Sequence, residues 1–165
     1  MKNPIIFLDF DGVVNTIFYR YYPREDKYHF RYAHEEDGFV NNTQAIAWLN
    51  ELYLKYPFDI VVTSTWRRFS DYRAILMKSG LDLRINILGA TPWLENETRG
   101  AEIIKWIDDN HCRDRNIIIL DDDTDMEGLN KDLIKCDPYL GFTIYEYMEC
   151  LKRMKKFEKY SYWFL

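Results

Sequence analysis

Five short apolar runs recur along the chain, among them Ile5-Ile6-Phe7-Leu8, Phe58 to Val62 and Ile117-Ile118-Ile119-Leu120, and polar or turn residues close each of them. None approaches the length of a membrane span. Runs this short, apolar at consecutive rather than alternate positions, predict strands buried on both faces near 4–9, 58–63, 84–88, 116–120 and 132–136. Between them the apolar period lengthens toward that of a helix. Helices are predicted over 42–55, where Asn42 can cap and Ile46, Leu49 and Tyr53 share a face, and over 70–79, between Ser70 and Gly80. A third over 99–109 carries Ile103, Trp106 and Ile107. The last opens on the capping box Thr143-Ile144-Tyr145-Glu146 and is expected to bury Ile144, Met148 and Leu151. Strands alternating with helices predict an α/β fold, a parallel five-stranded sheet with helices on both faces.

The polar residues that end these strands carry the chemistry. Asp9 and Asp11 follow the first run one residue apart, on one side by two-residue periodicity, and Gly12 lets the backbone turn away from them. Two carboxylates this close repel each other unless a cation lies between them, and Mg²⁺, which takes one or two carboxylates plus water and phosphate oxygens, suits the pair. Thr63-Ser64 closes the second run and Asp121-Asp122-Asp123 closes the fourth. In parallel sheets ligands bind outside the carboxyl ends of the strands, where Asp9, Asp11, Thr63 and Asp122 fall together. A lone Asp-x-Asp-Gly is a weak signal, and an isolated Asp9 or Asp122 could simply cap a turn. The weight comes from several such residues in order, each after a buried strand or at a helix start.

That order resembles the four motifs of the haloacid dehalogenase (HAD) superfamily of phosphohydrolases. Asp9-Phe10-Asp11-Gly12-Val13 matches the first motif and Thr63, with Ser64 as the alternate, the hydroxyl of the second. Arg99, in Thr98-Arg99-Gly100-Ala101-Glu102, stands at the basic residue of the third, and Asp121 with Asp122 matches the acid pair of the fourth. The wording from Leu8 to Asn15, Thr63 to Arg67, Arg99 to Ile103, Leu120 to Met126 and Asp137 to Thr143 is similar, more narrowly, to the small HAD domains of Swiss Army Knife RNA repair proteins. The resemblance implies a HAD-like Rossmannoid fold and an Mg²⁺-dependent phosphatase working through an aspartyl-phosphate. Asp9 would be the nucleophile and Asp11 the general acid and base, with Thr63 and Arg99 on the phosphoryl oxygens. Asp9, Asp121, Asp122 and Asp11, the last through its backbone carbonyl, would hold the metal. Ser64 and Arg67 are candidate substrate contacts, whereas Trp66 is read as core, with shaping of the pocket as the alternative. Asp123 and Asp125 are read as capping acids, with a third metal-ligand role as the alternative.

The segment from 15 to 40 has no clean period and is expected to be a flap or cap inserted after the first strand. Its tyrosines and arginines, Tyr21, Tyr22 and Arg24 among them, form the combination that stacks on bases and holds phosphates. A hairpin whose aromatics pack on the domain is the alternative. Substrates implied are a phosphorylated small molecule, a nucleotide or a nucleic-acid end. A small-metabolite phosphatase and a HAD-fold binding module without turnover are the other functions left open; intact Asp9 and Asp11 argue against the second.

Length and charge narrow the picture further. At 165 residues the chain suits one domain over 1–165, and a net charge of −5 argues against wrapping long nucleic acid, which needs a broad basic face. Cys112, Cys136 and Cys150 lack metal or disulfide spacing, so buried free thiols are expected. His29, His34 and His111 lack ligand spacing. With no signal-peptide pattern and no apolar span, a soluble cytoplasmic protein without a membrane partner is expected. The aromatic tail from Tyr160 to Leu165 is expected to dock on the domain or on a second copy in a homodimer.

Overall fold

Each apolar run becomes a strand, and all five pair in parallel in the order β3-β2-β1-β4-β5. They are β1 (Ile5–Leu8), β2 (Asp59–Val62), β3 (Asn86–Ala90), β4 (Ile117–Asp121) and β5 (Leu133–Lys135). The helices are α1 (Thr43–Lys55), α2 (Tyr72–Lys78), α3 (Arg99–Asp109) and α4 (Ile144–Ser161), and a 3-10 turn, Thr65–Arg68, follows β2. The computed structural model describes residues 2–16 and 42–161. The expected insertion, with Tyr21, Tyr22 and Arg24, lies outside the described residues but for Asn15 and Thr16, and so does the end of the aromatic tail.

Two-residue periodicity divides the strand side chains between two cores. Ile6 and Leu8 of β1, Ile60 and Val62 of β2, and Ile118 and Leu120 of β4 pack with Ala45, Ile46, Leu49 and Leu52 of α1, Leu76 of α2 and the inner face of α4. Ile5, Phe7, Val61 and Ile119 face the other way, against Ile103 and Trp106 of α3. There the Phe7 and Trp106 rings meet edge to face, 5.7 Å between centroids. Strands covered on both faces explain why their residues were uniformly apolar.

Local caps fix where the helices begin. Asn42 accepts from the Ala45 amide at 3.1 Å, and the box at α4 closes reciprocally: Thr143 accepts from the Tyr145 amide, and Glu146 accepts from the Thr143 amide at 2.8 Å. At α2 the cap is Asp71, which accepts from the Arg73 and Ala74 amides, rather than Ser70. The buried face of α4 also differs from the expected one. Tyr147, Cys150 and Met154 are buried and Leu151 is partly so, while Ile144 and Met148 are 41% and 57% exposed. The aliphatic residues suggested a stripe about a quarter-turn away; the helix instead turns in Tyr147, whose hydroxyl accepts from Lys55 at the edge of the core. All three cysteines are free and buried, as expected. Among the described residues no helix is long and apolar enough to cross a membrane.

The register does the positioning. Leu8 pairs with Val62 on one side and Leu120 on the other. The Thr63 amide then bonds to the Leu8 carbonyl at 2.9 Å and the Asp9 amide to the Leu120 carbonyl at 3.0 Å. Thr63, Asp9 and Asp121 therefore stand side by side at the carboxyl end of the sheet. The face of α4 is testable: Met154→Ala should lower stability by about 2–5 kcal/mol and Met148→Ala by no more than about 0.5 kcal/mol, read from urea unfolding. Equal losses would mean that the helix is rotated from the orientation described.

Candidate active site

The strand ends at Leu8, so Asp9 and Asp11 belong to a turn and do not share a face through strand periodicity. The Phe10 carbonyl accepts from the amides of Val13, Val14 and Asn15, winding the chain back on itself. Gly12 is needed here for two reasons: its φ is +71°, and a Cβ would lie 2.3 Å from the Asp122 carboxyl carbon. The turn sends the two acids apart. Asp9 points inward and is 5% exposed, whereas exposed Asp11 is held at both carboxylate oxygens, by the Asn15 amide group and by Trp66 Nε1 at 2.8 Å.

Asp9 is joined by Asp121 and Asp122 instead. One carboxylate oxygen from each lies within 4.8 Å of the others. The close acids are thus these three, and the Asp11 carboxyl, expected to pair with that of Asp9, is outside the group. Burial raises the pKa of each of the three. For Asp121 the Asp9 charge adds to the rise, and for Asp122 the charges of Asp123 and Asp11 do. Arg99 opposes the rise: its Nη1 is 3.8 Å from Asp9 and its Nε is 3.7 Å from Asp121. Those distances leave it short of a hydrogen bond. Arg99 Nη1, Asp121 Oδ2 and Thr63 Oγ1 are all buried without a hydrogen-bond partner, a costly state for polar atoms. Three hard oxygen donors with an unsatisfied carboxylate oxygen fit a small hard cation such as Mg²⁺. The unsatisfied guanidinium and hydroxyl beside them fit an anion.

The neighbouring residues are more structural than expected. The Ser64 hydroxyl bonds to Asp9, which lowers the Asp9 pKa, and also caps the 3-10 turn. Arg67, expected at the substrate, is buried and donates all five of its N–H groups within the protein. They go to the carbonyls of Thr63, Ser64, Thr91 and Pro92 and to Glu102 Oε2 at 2.7 Å. A guanidinium has five donors, so none is left for a ligand. Glu102, equally buried, also accepts from the Leu94 amide. The Arg67–Glu102 pair thus ties the end of β2 to the start of α3 and to the loop between β3 and α3. Asp125 accepts from the Arg99 amide at 2.9 Å, which is the capping role, exercised on α3. Asp123 accepts from the Thr124 amide.

A family model described as the HAD domain in Swiss Army Knife RNA repair proteins matches residues 5–146. The chain belongs to this family. No curated protein and no solved structure matches it. In this HAD domain Asn15 and Glu102 have site roles that sequence reasoning missed, and Trp66 both packs against the core and reaches the pocket at Asp11. For Glu102 a signal existed, an acid beside the buried positions Ile103 and Trp106 of α3. For Trp66 the signal was its place just after Thr63-Ser64; its partner was not readable, since the indole nitrogen crosses 55 positions to reach Asp11.

Arg67→Ala should lower stability by about 3–5 kcal/mol, because Glu102 would be left buried without its partner; thermal unfolding reads this directly. A fully stable Arg67→Ala protein with weakened substrate binding would restore Arg67 to the substrate. The acid cluster gives a pH signature. Folded Asp9, Asp121 and Asp122 hold protons more tightly than their unfolded forms. Their contribution to stability is therefore greatest at low pH and is lost as pH rises from about 4 through the raised values. Thermal melts in EDTA should show this loss, and Mg²⁺ should raise the melting temperature much more at pH 7.5 than at pH 5, where protons compete for the same oxygens. A Mg²⁺ shift independent of pH would place the metal elsewhere.

Proposed function

We propose that this HAD domain is an Mg²⁺-dependent phosphomonoesterase that works through an aspartyl-phosphate, its substrate a nucleotide or the phosphorylated end of a nucleic acid. One observation carries the reading: Thr63 Oγ1, Arg99 Nη1 and Asp121 Oδ2 are buried and unpartnered around Asp9. Two donors and an acceptor with no protein partner match an anion and a cation bound together. Asp9, Asp121 and Asp122 with the Asp11 backbone carbonyl would hold Mg²⁺, which when bound neutralises charge on the phosphate.

Without that neutralisation, a carboxylate approaching a phosphate oxygen meets like-charge repulsion of about 4 kcal/mol per pair at 4 Å and an effective dielectric of 20. The Asp9 carboxylate attacks phosphorus while the bond to the leaving oxygen breaks, and Asp11 gives that oxygen its proton. Asp11 then takes a proton from water, which attacks the same phosphorus, releasing inorganic phosphate and freeing Asp9. Arg99 and the Thr63 hydroxyl hold the non-bridging oxygens. The grip of Asn15 and Trp66 on Asp11 supports turnover over binding alone, since it orients an exposed acid two residues from the nucleophile and outside the metal cluster. The RNA repair context of the family supports the nucleotide or nucleic-acid end as substrate.

Hydrolysis of phosphomonoesters should require Mg²⁺, stop in EDTA and return when the metal is restored. Asp9→Asn should lose orders of magnitude in kcat while keeping its melting temperature. Asp122→Asn should raise the Mg²⁺ concentration for half-maximal rate more than Asp125→Asn does. Near-normal turnover by Asp9→Asn would remove it as nucleophile, and a larger metal defect at Asp125 would move the ligand set along the loop.

A further inference from the structure

Beside the phosphate-handling residues stand three side chains to which neither the catalytic reading nor the core gives a role. Trp93 is 46% exposed and Phe69 78% exposed. Arg68 bridges them, its guanidinium carbon 4.1 Å from the Trp93 ring centroid and 5.1 Å from that of Phe69. Among the described residues no acid forms an ion pair with Arg68, so its charge rests on two rings in a chain of net charge −5. The group is fastened to the site from below. Arg67, 5.6 Å from the Trp93 ring, holds the Thr63 and Ser64 carbonyls with one nitrogen and the Pro92 carbonyl with another. One guanidinium thus separates the Trp93 ring from the hydroxyl end of β2. Trp66, in the same 3-10 turn as Arg68, reaches Asp11.

We propose that Arg68 and Trp93 form a stacking platform for the nucleobase carried next to the scissile phosphate, with Phe69 extending it. The proposal rests on the phosphatase reading for the phosphate and adds the group that selects among phosphate esters. An exposed indole and a guanidinium plane are the surfaces on which unpaired bases stack, and stacking tolerates any base because each has a π-face. Arg68 also adds a positive charge that attracts a nucleotide or strand end, itself anionic. Buried Arg67 keeps the platform rigid, so its spacing from Thr63 and Asp9 is set before substrate binds. Specificity then lies in side chains that touch neither the metal cluster nor the reacting phosphorus.

The test compares esters that differ only in the base: adenosine 5′- and 3′-monophosphates against the corresponding ribose phosphates. Wild-type protein should favour the nucleotides in kcat/KM. Trp93→Ala and Arg68→Ala should each lower kcat/KM for the nucleotides by about 5- to 150-fold, the range expected for one stacked base, while leaving the ribose phosphates unchanged. Trp93→Phe should keep most of the preference. Equal losses on both substrates, with a lower melting temperature, would make these residues packing groups and overturn the proposal. So would a wild-type protein that does not distinguish the two esters. Calorimetric titration of the Asp9→Asn protein with the same compounds separates the platform from the chemistry. If no ester is hydrolysed, the phosphatase reading fails. The platform then stands if Asp9→Asn binds the nucleotide better than the ribose phosphate and loses that advantage on adding Trp93→Ala, and falls if the two affinities are equal.

Discussion

Three carboxylates, those of Asp9, Asp121 and Asp122, are forced together where two fully buried parallel strands end, and their repulsion in a poorly solvated setting is the constraint that organises this HAD domain. The sheet supplies the force: β1 pairs with β4 in register from Ile5↔Ile117 to Leu8↔Leu120, which sets the next residues, Asp9 and Asp121, side by side. Gly12 brings Asp122 in, because any side chain there would strike its carboxyl group. Burial raises all three pKa values, and Arg99 relieves the charge only in part. A site in this condition has a strong electrostatic reason to take up a small cation and, through it, an anion.

Two arginines on either side of Asp9 show how the same side chain serves opposite ends. Arg67 has every donor bonded to carbonyl or carboxylate oxygen and acts as a rivet between β2, the β3–α3 loop and α3. Arg99 stands at the N-terminus of α3 with a nitrogen that bonds to nothing, close to two acids but short of a hydrogen bond with either. Complete satisfaction makes a guanidinium structural, while an unmet donor in a buried cleft leaves it available to a ligand. Asp11 differs from both in being exposed. Both of its oxygens accept hydrogen bonds, which orients the group at the rim of the cluster.

Much of this was legible in the chain. Strands buried on both faces write themselves as unbroken apolar runs, so the strand bounds were found to within about two residues. The caps at Asn42 and Thr143 followed from local chemistry. The α4 face was misjudged because its aliphatics at 144 and 148 lie toward solvent while Tyr147, amphipathic, is the residue turned in. In the site, Asp9, Asp121 and Asp122 could be placed by counting past strand ends. The partners Arg67–Glu102 and Trp66–Asp11 could not, because they join segments 35 and 55 positions apart through side-chain tips rather than backbone register.

The central position of β1 has a consequence for the order of assembly. Made before them, β1 needs β2 on one edge and β4 on the other, and β4 ends only at Asp121. A nascent chain can pair β1, β2 and β3 well before β4 leaves the ribosome, forming three of the five strands with Ile5–Leu8 as the open edge. In that partly built state Asp9 lacks both Asp121 and Asp122. The cluster of Asp9, Asp121 and Asp122 comes into being only when β4 docks, so a cation held there would stabilise that later step and not the earlier pairing.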